Sequence, residues 1–278
     1  MPSARLRFLQ LTLALVAGLA PRVTQAWGKD GHVVVAVIAE ERLSPEARQM
    51  VTEILGEVPM SDPDVASWAD AQKDKETRRW HYVNIPFGAQ YLSSRDCAKG
   101  CAVEAISRFE QVLRRGGSAM DRADALRWLI HLTADLHQPL HAGDGRDRGG
   151  NELRVRKGKS RQPGNFHEIW DHDVVDALVK HGGRREVGRA LGQAVTAEQA
   201  RAWAAQLTPA QWAEGSNAEA QAIYAELDRV PGERSILRLD RGYAGTQRER
   251  TALALERAGV RLAALLDRIA RERAIPRP

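Results

Sequence analysis

Apolar side chains recur at helical spacing along most of this chain of 278 residues. Between Ala102 and Leu113 they fall three or four positions apart, on one face of a helix, and Gly116 follows as a stop signal. Similar helical patterns cover residues 32–43, 45–55, 125–136 and 255–269. Only residues 151–156 alternate as a strand does, and they predict a short hairpin. The chain therefore predicts a mainly α structure.

Helix-start signals support this interpretation. Ser44 precedes Pro45, Thr208 precedes Pro209, and Thr196 stands three residues before a glutamine, as in a capping box. No stretch rich in proline, glycine or serine divides the chain. With 43% hydrophobic and 28% charged residues, the composition is that of a globular protein and excludes a disordered or collagen-like chain. We expect a single-domain, multi-helix fold with a short β-hairpin.

The N-terminus has the features of a signal peptide. Arg5 and Arg7 precede an apolar run over residues 8–20, and small residues two positions apart end at Ala26. The alternative is a membrane anchor, but the run is shorter than the roughly 20 residues that a bilayer span needs. We expect cleavage after Ala26 and export.

Three segments follow from this prediction. They are a signal peptide over residues 1–26, a mature domain over 27–273 and a C-terminal tail over 274–278. The exported protein would be periplasmic or secreted, without a membrane anchor. The formal net charge is +5, but three arginines and no acid lie in the first 26 residues. The charge of the mature chain is therefore small and does not by itself indicate an anionic partner.

Export also bears on the two cysteines, because exported proteins meet an oxidising environment. We expect Cys97 and Cys101 to form a disulfide that closes a short local loop. They could instead be two free thiols or two metal ligands. No second cysteine pair exists to complete a thiolate metal site.

Two histidine–aspartate pairs carry the strongest chemical signal. His131 with Asp135, and His167 with Asp171, are each four residues apart, so both side chains of a pair project from one helix face. Imidazole nitrogen and carboxylate oxygen suit zinc, and helical proteins build metal sites from side chains on separate helices. One such pair alone is more often a surface ion pair or a capped core histidine. Further candidate ligands are Asp70, His81 and His141.

The predicted mature N-terminus adds a different kind of ligand. After cleavage the chain would begin at Trp27, and His32 would be close enough in sequence to join it as a ligand. A free α-amine has a pKa of roughly 7.7–8.0, so it can lose its proton and bind a metal at modest cost. Together with the Trp27 carbonyl oxygen it would form a chelate.

These residues resemble the zinc-dependent, single-strand-specific nuclease and 3′-nucleotidase family of fungi, plants and bacteria, the type I nucleases, which is related to the bacterial zinc phospholipases C. The matching pieces run in one order from Trp27 to Asp171 and cover over half of the predicted mature chain. They are Trp27…His32, Ala66-Ser67-Trp68-Ala69-Asp70, Trp80-His81-Tyr82, His131-Leu132-Thr133-Ala134-Asp135, Gln138-Pro139-Leu140-His141, Gly149-Gly150-Asn151 and His167-Glu168-Ile169-Trp170-Asp171.

The resemblance implies three Zn²⁺ ions per chain, with Asp135 shared between two of them. The implied ligands are Asp70, His81, His131 and Asp135 for the first ion, Trp27, His32 and Asp135 for the second, and His141, His167 and Asp171 for the third.

It also implies an activity: endonucleolytic hydrolysis of single-stranded DNA and RNA to 5′-phosphorylated products, with 3′-nucleotides as further substrates. Asp70 would orient the attacking water, Lys73 would stabilise transition-state charge, and Asn151 would position the phosphate. Tyr82 matches an aromatic position where a nucleobase stacks. No obligate protein partner is indicated.

Some of these roles have simpler alternatives. Lys73 could be a solvated lysine, Asn151 a turn residue and Tyr82 part of the core. The sequence also departs from the fungal pattern at Asn84, where those enzymes have an aspartate, which leaves the base preference open.

Two other functions compete with the nuclease. A zinc phospholipase C would share fold and ligands, but that branch has a longer gap from tryptophan to the first histidine and a glutamate in the last ligand pair. The short gap from Trp27 to His32, and Asp171, favour the nuclease. The other alternative is a non-catalytic, metal-binding helical protein.

Overall fold

The computed structural model describes residues 26–72, 74–160, 162–206, 208–227 and 236–274, and the side chain at position 274 is not considered further. Helices dominate this part of the chain, which confirms the predicted mainly α fold. The α-helices are α1 Gly28–Arg42, α2 Pro45–Leu55, α3 Pro63–Ala66, α4 Ser93–Asp96, α5 Ala102–Arg115, α6 Ala119–Leu136, α7 Pro139–Ala142, α8 Phe166–Glu168, α9 Val174–Val179, α10 Gly183–Ala194, α11 Ala197–Ala204, α12 Pro209–Ala225, α13 Tyr243–Thr246 and α14 Arg248–Ala274.

Helix α1 lies in the centre of the core, with most of its side chains buried. It packs closely between α10 and α14 because glycines stand at both contacts. A Cβ atom at Gly188 of α10 would lie 2.8 Å from Cβ of Val37, and one at Gly259 of α14 would lie 2.5 Å from Cβ of Ile38. These close approaches fix the position of α1, the helix that carries His32.

Helix α6 is the second central helix, and every residue from Trp128 to Leu136 is buried. It begins six residues before the predicted start at Ala125, because Ser118 and Asp121 form a capping box. The Ser118 hydroxyl accepts the Asp121 backbone N–H at 3.1 Å. The first turn is exposed, with Met120 75% exposed, and it does not continue the apolar face of the helix, so the apolar pattern did not reveal it.

The predicted caps of the other helices are confirmed. Ser44 caps α2, and Thr196 and Thr208 each form a capping box with the glutamine three residues on. Gly116 ends α5 with a positive φ of 83°. At the start of α2, α11 and α12, a short polar side chain accepts a hydrogen bond from a backbone N–H that has no partner within the helix.

Short strands complete the fold. Strands β3, Arg154–Lys157, and β4, Gly164–Asn165, form the predicted hairpin, and β5, Leu237–Leu239, pairs in parallel with β3. A separate parallel pair joins β1, Ile85–Pro86, to β2, Gly143–Asp144. The sequence did not predict β5 or the β1–β2 pair.

Several predictions fall outside the described residues. The signal peptide lies there except for Ala26, which is buried, and so do Lys73 and the tail beyond residue 274. Within the described ranges, no helix is both long enough and apolar enough to cross a bilayer.

Candidate metal centre

Histidine and aspartate side chains from distant parts of the chain meet in the core. Within the described residues, three groups place their donor atoms within 4.8 Å of one another. The groups are His32, His131 and Asp135; Asp70, His81 and His131; and His141, His167 and Asp171. The structure thus brings together every predicted side-chain ligand of all three ions.

Asp135 on α6 joins the first two groups. Its Oδ1 lies 2.8 Å from Nε2 of His32, and its Oδ2 lies 2.8 Å from Nδ1 of His81. The carboxylate is fully buried, and α1 and α6 pack so closely that the His32 and His131 rings stack with centroids 4.0 Å apart. One carboxylate can therefore face two cation sites at once.

The group around His131 contains a carboxylate with no hydrogen-bond donor. Asp70 lies in a 3₁₀ helix, Trp68–Ala71, and neither of its buried carboxylate oxygens accepts a hydrogen bond. The nearest ring nitrogen, Nε2 of His131, is 3.5 Å from Oδ1. The same nitrogen lies 3.2 Å from Nδ1 of His81 and 3.3 Å from Oδ2 of Asp135. Burying a carboxylate that accepts no hydrogen bond is costly, so a cation bound here would stabilise Asp70.

The third group is built on a helix break. Pro139 starts α7, which carries His141, while His167 lies in α8 and Asp171 in the π-helical turn Ile169–Asp173 that follows. Nε2 of His167 lies 3.0 Å from Nε2 of His141, and the Asp171 oxygens lie 3.5 and 3.4 Å from these two nitrogens.

Backbone carbonyls fix the tautomer of four of these histidines. Their Nδ1 atoms each face a carbonyl oxygen, so Nδ1 carries the proton and Nε2 carries a bare lone pair in the neutral ring. The pairs are His32 with Gly28 at 2.7 Å, His131 with Ala66 at 3.1 Å, His141 with His81 at 2.7 Å, and His167 with Gly149 at 2.6 Å. Such hydrogen bonds are typical of histidines that bind metals.

The bare nitrogens then face one another. In the neutral rings, the lone pairs of His141 and His167 would oppose each other at 3.0 Å, which is repulsive unless a cation lies between them. Donors at about 2.0–2.1 Å from a tetrahedral zinc ion are about 3.3–3.4 Å apart, close to the separations in these groups. The residues therefore fit zinc in both donor type and spacing.

The charges of the carboxylates agree with this fit. Burial alone would raise the pKa of Asp70, but attraction to His131 outweighs it and lowers the pKa. The same balance holds the pKa of Asp135 well below its usual range. Burial lowers the pKa of His167, which favours its neutral, metal-binding form. Burial would also lower the pKa of His131 and of His141, but attraction to the neighbouring carboxylates outweighs it and raises both pKa values. These two rings therefore hold a proton that a bound cation would displace. Ionised carboxylates and a neutral imidazole are the protonation states that a metal requires.

Trp27 lies directly before α1, fully buried. Its indole N–H donates to the Ala134 carbonyl oxygen at 2.9 Å, and its own carbonyl oxygen accepts the Gly31 N–H at 3.0 Å. That oxygen retains a second lone pair. Ala26 precedes Trp27 in the described chain, so the role predicted for a free Trp27 amine stays a prediction.

Two of the predicted substrate residues, Tyr82 and Asn151, belong to the described part of the chain. Tyr82 directly follows His81 and is 37% exposed, so it does not pack in the core. The side-chain N–H of Asn151 donates to the Arg148 carbonyl oxygen at 2.9 Å, which is the contact of a turn residue. Their roles toward phosphate and base stay predictions.

Sequence reasoning missed two residues that support the ligands. The Gln138 side chain donates to Oδ1 of Asp171 at 2.8 Å and leaves Oδ2 without a donor, so Oδ2 is the oxygen available to a metal. Asp147 accepts the Gly150 N–H at 2.9 Å and the Tyr224 hydroxyl, and thereby holds the turn whose Gly149 carbonyl contacts His167. Gln138 belongs to a motif noted in the sequence, but its partner lies 33 residues away.

Cys97 and Cys101 form the predicted disulfide, and both are buried. The loop they close leads into α5, whose first N–H, from Ala102, donates to the Tyr82 carbonyl oxygen at 3.0 Å. The disulfide therefore lies close to the segment that carries His81 and Tyr82.

The sequence of this chain is similar to a family of nucleases. Residues 27–271 match the family model described as S1/P1 Nuclease. Endonuclease 2 of Arabidopsis thaliana is 33% identical over an alignment that covers 56% of this chain and 58% of that protein. Nuclease S1 of Aspergillus oryzae is 29% identical over 61% of each chain, and Nuclease P1 of Penicillium citrinum is 32% identical over 55% of this chain and 60% of its own. The chain spans about three fifths of the length of these relatives.

Proposed function

Because this chain belongs to the S1/P1 nuclease family, we propose that it is a zinc-dependent endonuclease that hydrolyses phosphodiester bonds in single-stranded DNA and RNA. Its products would carry a 5′-phosphate, and it would also remove the phosphate of 3′-nucleotides. The observation that carries this proposal is the meeting of bare imidazole nitrogens and buried carboxylates in three adjoining groups.

The proposed centre holds three zinc ions. Asp135 would be a ligand of two of them, because its Oδ1 lies beside His32 and its Oδ2 beside His81. The proposed ligand sets are Asp70, His81, His131 and Asp135; Trp27, His32 and Asp135; and His141, His167 and Asp171.

When bound, zinc ions supply positive charge for the phosphoryl oxygens and lower the pKa of water towards 7. Asp70 is the proposed base. Its pKa is lowered, so the side chain is ionised at neutral pH and is able to accept a hydrogen bond from a water molecule. One of its two oxygens can serve as a ligand, while the other orients the attacking water and takes its proton.

Three further side chains would bind the substrate. Lys73, three residues after Asp70, would offset the charge that develops in the transition state. Asn151 would position the phosphate through the part of its amide that the Arg148 contact leaves available. Tyr82, exposed beside His81, would stack on a base of an unpaired strand.

A panel of substrates tests the activity. We expect the zinc-loaded protein to cleave single-stranded DNA, RNA and 3′-AMP, and to leave phosphatidylcholine intact. Hydrolysis of the lipid without cleavage of nucleic acid would instead assign a phospholipase C. Tightly bound zinc with no turnover of any substrate would leave a non-catalytic metal protein.

We also propose that residues 1–26 are removed during export to the periplasm or the medium, which leaves the domain 27–273 and a short tail. The new Trp27 amine would then complete the second ion's ligands. A chain with one extra glycine before Trp27 should bind one zinc ion fewer, measured by elemental analysis, than the chain that begins at Trp27. A glycine added after Pro278 is the control, and equal zinc contents in all three chains would contradict amine ligation.

A further inference from the structure

A group of basic side chains lies on the surface beside the segment that carries His81. Its members are exposed, and none has a carboxylate within ion-pair distance among the described residues. They are Arg78, Arg79, Lys99 and Arg108, and we call them the basic patch. Arg78 and Arg79 belong to the 3₁₀ helix Thr77–His81, Lys99 to the disulfide loop and Arg108 to α5.

Acidic side chains near the patch offset part of its charge. Asp96 pairs with Arg95, whereas Glu104 accepts a hydrogen bond from the Ser93 hydroxyl at 2.8 Å and keeps its negative charge one helical turn before Arg108. Asp74 and Glu76 are exposed just before the 3₁₀ helix. The four cations outnumber these three carboxylates. The patch keeps a net positive potential that faces solvent.

Aromatic rings hold Arg108 in place and connect it to the metal centre. Its guanidinium lies 5.1 Å from the ring centroid of Trp80 and 5.5 Å from that of Phe109. The ring centroids of Trp80 and the buried Trp128 are 5.0 Å apart, and those of Trp128 and His81 are 5.6 Å apart. A stacked guanidinium loses less conformational freedom when it binds a phosphate than a free one would.

The disulfide loop is held in the same area. The Arg79 guanidinium lies 3.5 Å from the Lys99 carbonyl oxygen, and a Cβ atom at Gly100 would lie 3.7 Å from Nε1 of Trp80. Contacts through Arg79 and Trp80 therefore join the loop, the 3₁₀ helix and α5, the three segments that carry these cations.

We propose that the basic patch binds phosphates of the strand that flanks the cleaved bond, so that it favours long single strands over dinucleotides. This inference rests on the proposed function and extends its substrate site outward from Tyr82 and His81. Single-stranded nucleic acid is the occupant because it carries a regular row of negative charge, and because the exposed Tyr82 directly follows the 3₁₀ helix that carries Arg78 and Arg79. Each phosphate contact would release counterions from the strand and make binding sensitive to salt.

The test compares two variants with equal changes in charge. The patch variant carries Arg78→Gln, Arg79→Gln and Arg108→Gln. The control variant carries Lys180→Gln, Arg201→Gln and Arg248→Gln, at exposed positions in other parts of the fold. Both are compared with the unchanged chain by kcat/KM on a thymidine oligonucleotide of about 20 residues and on a dinucleotide. The affinity for a cleavage-resistant phosphorothioate strand of the same length is measured across salt concentrations.

We expect the patch variant to bind the long strand about tenfold more weakly at low salt, with a salt slope smaller by about 2, the value for three lost contacts. The ratio of kcat/KM for the long strand to that for the dinucleotide should fall by a similar factor. The control variant should bind the long strand as the unchanged chain does, and its ratio of the two kcat/KM values should be the same.

Equal losses of affinity for the long strand in the patch variant and the control variant would show a general effect of charge and overturn the proposal. So would equal losses on long and short substrates in the patch variant, because the patch would then act at the scissile phosphate. Failure of the unchanged chain to cleave either substrate would refute the proposed function, while the binding measurements would still decide whether the patch holds the strand.

Discussion

Both carboxylate oxygens of Asp70 are buried and lack a hydrogen-bond donor, so a bound cation would stabilise this side chain. We expect Asp70→Asn to lower kcat for single-stranded DNA by about 10²–10⁴-fold, because the neutral amide can neither take a proton nor balance the charge of a metal. Helix content, measured by far-UV circular dichroism, should remain that of the unchanged chain.

Asp74→Asn is the control, because Asp74 is an exposed carboxylate four residues away. It should cleave as the unchanged chain does. Full activity in Asp70→Asn would refute the proposed role of Asp70.

His137 gives a prediction about pH. Its Nδ1–H donates to the Thr133 carbonyl oxygen, and Nε2 accepts from the Arg261 guanidinium at 2.7 Å. Burial, and then the charge of Arg261, hold the pKa of His137 well below its usual range. The folded protein keeps this ring neutral, whereas the unfolded chain takes up a proton below about pH 6.5. The free energy of unfolding therefore falls as the pH drops from about 6.5 towards the folded pKa.

We expect His137→Gln to remove this contribution. Between about pH 7 and pH 5, the variant should lose less unfolding free energy than the unchanged chain, by up to about 1.4 kcal/mol per pH unit below 6.5. Urea denaturation at the two pH values measures the difference, and parallel losses in both proteins would contradict it.

At the residue scale, the sequence predicted which side chains meet but not what supports them. Four-residue spacing on a helix places His131 beside Asp135 whatever the rest of the fold does. The contacts of Gln138 with Asp171, and of Asp147 with Tyr224, join segments 33 and 77 residues apart. No local pattern encodes such pairings.

At the scale of elements, the predictions succeeded where apolar spacing and capping residues agreed. Helices α2, α5 and α12 begin at or beside the predicted residues. The start of α6 was predicted six residues late because its first turn carries no apolar stripe. Strand β5 was missed because its parallel partner β3 lies about 80 residues earlier, and short strands gain their hydrogen bonds only after the chain has folded.

The close contact of α14 with α1 gives a prediction at this scale. In Gly259→Ala, the added Cβ would lie 2.5 Å from Cβ of Ile38 and 3.1 Å from the Val35 carbonyl oxygen. We expect the free energy of unfolding, measured in urea, to fall by about 1–3 kcal/mol, because the two helices must move apart.

Gly215 in α12 provides a matched control, since nothing lies within 4 Å of its added Cβ. Gly215→Ala should raise the free energy of unfolding by about 0.4–1 kcal/mol, because alanine reduces the freedom of the unfolded chain. Equal effects of the two substitutions would show that the contact between α14 and α1 is not tight.

At the scale of the whole molecule, the proposed ions would stabilise the fold as well as act in catalysis. Each ion bound only to the folded chain adds about 2.7 kcal/mol when its free concentration is 100 times its Kd. A chelator should therefore lower Tm and abolish cleavage together, and added zinc should restore both.

Magnesium should not restore either property, because it prefers oxygen ligands and five of the proposed ligands are histidines. Calorimetry of the chelated and refilled protein measures the change in Tm. A Tm unaffected by the chelator would contradict metal binding to the folded state.

The three groups of ligands are spread along the chain from His32 to Asp171. During synthesis, a chain that ends before Asp171 lacks part of the third group, whatever the supply of metal. The centre can be completed only after more than half of the polypeptide has left the ribosome. If the proposed activity holds, an unfinished chain is poorly able to cleave the messenger RNA that encodes it.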